Sequence, residues 1–321
     1  MLYSRRDGRM NFLSMRYFSA VAKERSFTRA AAHLFITQQT LSTHIAAIEK
    51  ELGCRLFVRT YPLRLTYEGK VFLQYAMRFD DLHLSMEREF FDLKASEKGL
   101  LHIGIAHTRG RALLPDIICA FKAQYPNIVI HIEETTNDAL CARLLDKELD
   151  LIIASLTDEP PEIEIQPFYV EQFYLLVSKK LLEASFGEPW TALTAAIRDS
   201  KDISSLAAVP FLLSGNDDIV GKIGRQLLHD AGFVPHVSVE SHNVETLLEL
   251  CLKGEGACFC PTILFDRLGN AAMKKRLEIF DLGKAACCPI KFAWRRQQYH
   301  WKAITDFVTT ARKVIEKRTD A

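Results

Sequence analysis

The chain has 321 residues, 48% of them hydrophobic and 25% charged, with a formal net charge of +1. That length exceeds one ordinary core and accommodates two or three compact units, and the composition argues against a disordered or fibrous protein. No apolar run is long enough to span a bilayer and the basic start lacks the apolar stretch of a secretory signal, so a cytoplasmic protein without a membrane partner is expected, its cysteines mostly reduced.

The near-neutral total hides an asymmetry. Residues 1–79 carry 13 Lys or Arg against 5 Asp or Glu, a balance of +8 that leaves −7 on the remainder. A basic head on an acidic body points to a polyanion partner; a merely solvated basic face is the bland alternative.

From Asn11, the residues Phe12, Met15, Phe18, Val21 and Ala22 recur at helical spacing and define a first helix. Ser26 is placed to cap a short second helix, whose Ala30, Ala31 and Ala32 allow another helix to approach closely. Thr37 caps a third helix reaching about Leu52. Its inward row is Leu41, Ile45, Ile48 and Leu52, its outward row Gln38, Gln39, Thr40, Thr43, His44 and Ala47, and Gly53 ends it in a left-handed turn. Two short helices with a tight turn match a helix-turn-helix whose second member enters the major groove of double-stranded DNA. Gln38 or Gln39 suits adenine, and Thr40 or Thr43 suits a thymine methyl or a phosphate. Arg29, Thr37 and His44 complete the candidate contact set, and the helix N-terminus itself attracts phosphate. Two β-prone runs around Tyr61 and Pro62 then form a wing, with Arg59 and Arg64 along the phosphates.

Within this head, FSAVA at 18–22, SFTRAA at 26–31, TQQTLS at 37–42, IAAIEKELG at 45–53, RLF at 55–57 and Arg59-Thr60 resemble the DNA-binding head of LysR-type transcriptional regulators. The resemblance runs through the head without a gap. Two positions depart from the family pattern: Gln39 stands where proline is common, and Thr43-His44 where a basic residue often lies. The family begins near its first helix, so residues 1–9 read as an extension, either a basic arm or, as favoured here, the product of an upstream start with Met10 the true one.

Thr66 is placed to cap a long helix from Tyr67 to about Leu93. Phe72, Tyr75, Phe79, Leu82 and Met86 follow a 3-4 spacing along it, continued by Phe90 and Leu93 after one slip. That is a narrow coiled-coil seam; the alternative is a helix packed on its own body. The resemblance implies that this helix dimerises, giving a homodimer or homotetramer.

From Leu100 short β runs alternate with helical stretches. Strands are expected at 101–106, 128–132 and 151–154, with helices at 113–125 and 138–148. A second set has strands at 163–168, 173–177, 211–213, 237–239 and 257–260, and helices at 217–231 and 244–253. Strands at 277–280 and 290–294 and a last helix from about His300 to Lys317 are expected to return to the first half. Such alternation implies a mainly parallel, helix-covered sheet in two lobes with a cleft between them, where ligands sit beyond the strand ends.

ELDL at 148–151, AGFVP at 231–235 and GEGA at 254–257 before Pro261 resemble the LysR-type effector domain, itself similar to periplasmic binding proteins. The expected architecture is therefore a winged helix-turn-helix at 10–66, a linker helix at 67–98 and a two-lobed α/β effector domain at 99–321. Lobe I covers about 99–168 and 266–321, lobe II about 169–265. The segment 182–204, long for the family, is expected to reshape the cleft rim or an interface.

Candidate effector contacts lie just past strand ends: Thr108, Arg109, Thr136, Asn137, Ser155, Ser214, Asn216 and His242. Hydroxyls and helix-start amides suit an anionic metabolite, and Arg109 would hold a carboxylate bidentately; ordinary capping is the competing role for each residue singly.

Other chemistry is set aside. Cys258 and Cys260 share one face of an apolar strand, and with Cys287 and Cys288 they lack metal-binding spacing or a His-rich partner. His107 and His242 come without a nucleophile elbow or phosphate loop, so an enzyme with an accessory head is the weaker reading, and neither cofactor nor metal is expected. More than 200 residues of α/β body argue against a purely architectural DNA-binding protein.

Overall fold

The computed structural model describes residues 11–60, 62–93, 99–296 and 301–319. The extension at 1–9, Met10, Tyr61 of the wing turn, the end of the linker and His300 lie outside the described residues. Those described up to 93, with Trp301, form one compact unit, and 99–296 with 302–319 form a second.

The first unit contains helices α1 (Phe12–Glu24), α2 (Phe27–His33) and α3 (Gln38–Leu52), strands β1 (Phe57–Val58) and β2 (Arg64–Leu65), and helix α4 (Tyr67–Leu93). Side chains that prefer turns cap each start: Asn11 accepts from Ser14 N, Ser26 from Arg29 N, Thr37 from Thr40 N and Thr66 from Gly69 N. Gly53 takes φ 71° at the end of α3. The two wing strands pair antiparallel, Val58 opposite Arg64. At Gly69 a Cβ would lie 2.0 Å from the Leu56 carbonyl oxygen, so only glycine lets α4 start against the wing.

Phe18, Val21, Leu41, Ile45, Ile48, Leu56 and Phe57 form the core of this unit, each fully buried large side chain stabilising it by about 1.5–3 kcal/mol. Two expected roles change here. Leu52 is not inward but 41% exposed, because α3 runs past the small core by its last turn. Phe72 is not on the seam; it is 8% exposed and packs edge-on against Phe18, ring centroids 4.8 Å apart. Tyr75, Phe79, Leu82, Met86 and Phe90 remain exposed along α4.

The second unit is built on one sheet. Its strands are β3 (Leu100–Ile105), β4 (Val129–Glu134), β5 (Leu151–Ala154), β6 (Ile163–Ser178), β7 (Phe211–Leu213), β8 (Val237–Glu240), β9 (Ala257–Pro261), β10 (Leu277–Asp281) and β11 (Cys287–Arg295). The order is β4-β3-β5-β11-β6-β9-β7-β8, with β10 also on β6. The runs β4-β3-β5 and β8-β7-β9 are parallel, whereas β11 and β6 lie antiparallel between them.

Helices α5 (His107–Gln124), α6 (Asn137–Leu145) and α13 (Lys302–Thr319) belong with the first run, and α9 (Ile219–Asp230), α10 (Val244–Lys253) and α11 (Thr262–Leu268) with the second, while the short α12 (Ala271–Arg276) leads into β10. Phe121 of α5 meets Phe307 of α13 at 5.3 Å, so the chain end does return to the first half.

Two expectations are corrected. The strands foreseen at 163–168 and 173–177 are one 16-residue strand, β6, because the polar stretch between them continues to pair with β11. β10 does not return to the first half; it pairs with Tyr174 to Ser178, the part of β6 whose opposite edge carries β9. The segment 182–204 forms α7 (Lys179–Phe186) and α8 (Trp190–Ser200), and α8 packs on β10, where Arg198 bonds Glu278. It thus buttresses a strand at the sheet edge.

Candidate DNA interface and effector site

In the first unit, α3 presents Gln38, Gln39, Thr40 and Thr43 at exposed positions. The three threonines are already engaged. Thr37 Oγ1 accepts from Thr40 N at 3.1 Å and lies 2.8 Å from Thr40 Oγ1, and Thr43 Oγ1 donates to Gln39 O at 2.9 Å. These bonds fix the helix start and leave the two glutamine amides as its outward polar tips. His44 departs from the expected outward row: it is half-buried, 3.1 Å from Ser14 Oγ and edge-on to Tyr17, so it ties α3 to α1.

The basic residues have local partners that aim them. Arg29 pairs with Glu24 at 3.5 Å. Arg59 reaches Glu49 at 3.3 Å and lies over the Phe27 ring, yet remains 48% exposed. Arg64 is exposed on the wing. Between α3 and the wing lies a hollow of about 550 Å³ lined by Arg25, Arg29, Gln38, Ser42, Arg59 and Pro62 among others. Its three guanidiniums face one depression beside the glutamine, which suits a phosphate backbone.

Two contributors went unrecognised in the sequence. Arg25 ends α1 at φ 47° and turns into the hollow. Glu49, buried on α3, accepts from Leu56 N at 2.8 Å and Phe57 N at 3.4 Å while holding Arg59 and Arg55. An acid four residues after Ile45 and next to Ile48, on the inward face, was the available signal.

In the second unit, α5 begins at His107, earlier than its periodicity suggests, so Thr108 and Arg109 sit in its first turn. Arg109 is 2% exposed, and its Nη2 donates to Glu171 Oε2 at 2.9 Å. Glu171 is equally buried and accepts from the Tyr169 hydroxyl at 2.7 Å. Cys288 stands opposite Glu171 in the β11–β6 register, with its sulfur 3.0 Å from Ser155 Oγ. Asn137 Oδ1 in turn accepts from Ser155 N at 3.2 Å.

Burial opposes the charge on Arg109, but the Glu171 carboxylate more than offsets it and raises the guanidinium above its ordinary range. Burial, then Glu171, push the Tyr169 phenol well up, so it stays a neutral donor. Burial also raises the Cys288 thiol against the opposing Ser155 bond and Arg109 charge. Arg109 Nε and Nη1 are buried without a hydrogen-bond partner. Leaving such N–H groups unmet costs about 1–3 kcal/mol each.

The structure thus brings together Arg109, Asn137 and Ser155, and adds Tyr169, Glu171 and Cys288. Thr136 caps α6, accepting from Ala139 N at 3.5 Å, and Thr108 is half-buried beside Arg109. Ser214 bonds Asp218 at 2.6 Å, while Asn216 is exposed and exposed His242 lies 3.4 Å from Asp217, so these three form a separate group on the β7 side. The two halves are bridged by Lys222 to Asp138 at 3.6 Å and by Arg111 with Glu245. Glu171 was legible as the lone acid in YVEQFYLLV at 169–177; Tyr169 and Cys288 gave no separate signal.

The family model for the bacterial regulatory helix-turn-helix protein of the lysR family matches residues 12–70, and that for the LysR substrate binding domain matches 94–316. The chain belongs to the LysR family. A probable RuBisCO transcriptional regulator of Thalassiosira pseudonana is 30% identical over 273 residues, 83% of each chain. A point mutant of full-length OxyR from Pseudomonas aeruginosa shares the fold with TM-score 0.64 at 24% identity, covering 94% of this chain and 95% of that one. Full-length BenM gives TM-score 0.56 at 25% identity, covering 97% and 98%.

As a LysR-type protein the chain is a DNA-binding transcriptional regulator with a substrate-binding domain rather than an enzyme. Among the described residues no helix is long and apolar enough to cross a membrane.

Proposed function

We propose that this LysR-type regulator reads its operator through Gln38 and Gln39 of α3, steadied on the phosphates by Arg25, Arg29, Arg59 and Arg64, and responds to a small anionic effector anchored at Arg109 between two lobes. Thr37, Thr40, Thr43 and His44 act by holding α3 in place. In this reading the head spans 10–66, the linker 67–98 and the effector domain 99–321, with β10 assigned to the second lobe. The exposed row Tyr75, Phe79, Leu82, Met86 and Phe90 pairs α4 with that of a second copy, and two such dimers make a tetramer; the protein acts on DNA in the cytoplasm.

The observation that carries the effector site is the fully buried Arg109 with two unpartnered nitrogens. A guanidinium recognises a carboxylate or other oxyanion through paired N–H donors, and burial strengthens that preference. Because α5 carries Arg109 and ion pairs join the halves, a bound anion favours one arrangement of the lobes, as ligand control of a distant head requires.

Selection of bound fragments from a random DNA library tests the head: Gln38→Ala shifts the selected sequence, whereas Arg64→Ala lowers affinity alike for all sequences and reduces the salt slope by about one. Unchanged sequence and slope in both variants would refute the interface. For the cleft, a panel of anionic metabolites is added to the full chain on its selected DNA. The reading requires at least one to change DNA binding in the wild type and not in Arg109→Lys; equal responses in the two proteins reject it.

A further inference from the structure

The buried partner of Arg109 is an acid, and its position in the sheet is unusual. β11 pairs with β6 up to Gln172; β10 follows it along that edge from Tyr174, and β9 joins the opposite edge at Phe173. Glu171 therefore lies at the point where the one strand common to both halves changes partners. It holds Arg109 through a single nitrogen, Nη2, which is the corner shared by the two forks of a guanidinium. Nε completes one fork and Nη1 the other, and both are unmet. Nη2 carries two N–H groups, one for each fork, so a carboxylate entering either fork shares that nitrogen and sets its own negative charge against Glu171.

Resting on the effector reading above, we infer that Glu171 is an internal occupant of the Arg109 anchor, and that a compact monocarboxylate effector acts by competing with it, releasing the crossover strand β6 from α5. The ligand class follows from the charges. Arg109 is the cation of this cluster, and the groups around it, Tyr169, Ser155 and Cys288, are neutral side chains. A dicarboxylate would bring a second charge with no cation of the cluster to meet it, whereas a neutral amide would not displace Glu171. The regulatory consequence is mechanical: with Glu171 on Arg109, the first turn of α5 is pinned to the strand that joins the halves. With Arg109 taken by the ligand, that pin is removed.

Titration calorimetry on the full-length oligomer with acetate, propionate, malonate and acetamide tests the competition. In Glu171→Gln the occupant loses its charge, so acetate and propionate bind about tenfold to a hundredfold tighter than in the wild type, acetamide gains less than threefold, and malonate stays weaker than propionate in both proteins. In the wild type, propionate also changes hydrogen exchange at the amides of residues 169–173, a readout that does not depend on the variant folding. Equal or weaker monocarboxylate binding in Glu171→Gln, or unchanged exchange in wild type that binds propionate, overturns the role of Glu171 and leaves the Arg109 anchor standing. No binding of any carboxylate by either protein removes the anchor itself.

Discussion

Replacing Glu49 separates two jobs that one carboxylate performs. It is buried on the recognition helix and accepts the backbone N–H groups of Leu56 and Phe57, themselves buried, while pairing with Arg59 and Arg55. In Glu49→Gln the side-chain carbonyl still accepts the amides, and the loss is the charge opposite two half-exposed arginines, about 1 kcal/mol or less. In Glu49→Ala the Leu56 amide at 2.8 Å loses a charge-assisted bond, and the longer Phe57 bond goes with it. One strong and one weak bond of this kind cost about 3 kcal/mol together, because buried donors are left unpaired. For a unit of this size each kcal/mol lowers the melting temperature by about 4–8 °C, so the alanine variant melts about 12–24 °C below the wild type and the glutamine variant less than about 8 °C below. Hydrogen exchange at the Leu56 and Phe57 amides in the full chain reads the same difference locally. Equal destabilisation by the two variants would show that the amide bonds contribute nothing, and no destabilisation by either would refute the anchoring of the wing by α3.

Phe79→Asp is expected to dissociate the oligomer in analytical sedimentation while the head stays folded, whereas Phe72→Asp unfolds the head, because Phe72 packs on Phe18 and Phe79 is 40% exposed. An intact oligomer in the first variant or a native head in the second contradicts the division of α4 into two faces. Asp116 receives bonds from Arg318 and Arg267, and the Arg318 bond chiefly lowers its pKa below the usual carboxylate value. The stability it contributes is therefore present above about pH 4 and lost as pH falls through the lowered value. Being half-exposed it is worth under about 1 kcal/mol, and urea midpoints of wild type and Asp116→Asn should differ near pH 6 and converge near pH 2. Cys258 and Cys260 are buried with raised pKa, the first chiefly by a bond with Cys251 and the second by burial. Iodoacetamide should therefore label exposed Cys119 in the native protein and spare these two until it unfolds; native-state labelling of Cys258 would contradict their place in the core.

The sequence alone was enough for every feature that a few neighbouring residues decide. Asn11, Ser26, Thr37 and Thr66 cap helices because a short polar side chain reaches an amide three residues ahead, and the apolar period of 11–52 is visible without any partner. The parallel β-α alternation of the body was legible for the same reason. Tertiary structure decided what depends on residues far apart in the chain. Phe72 has the spacing of a seam, but Phe18 claims it for a core. β6 reads as two strands until β11, more than 100 residues later, pairs along its polar middle. Arg109 looked like an open anion anchor; 62 residues on, Glu171 already holds one of its nitrogens and leaves two unmet. Periodicity says which face of an element is apolar, not which distant group will meet it, and a buried charge takes its meaning from that partner.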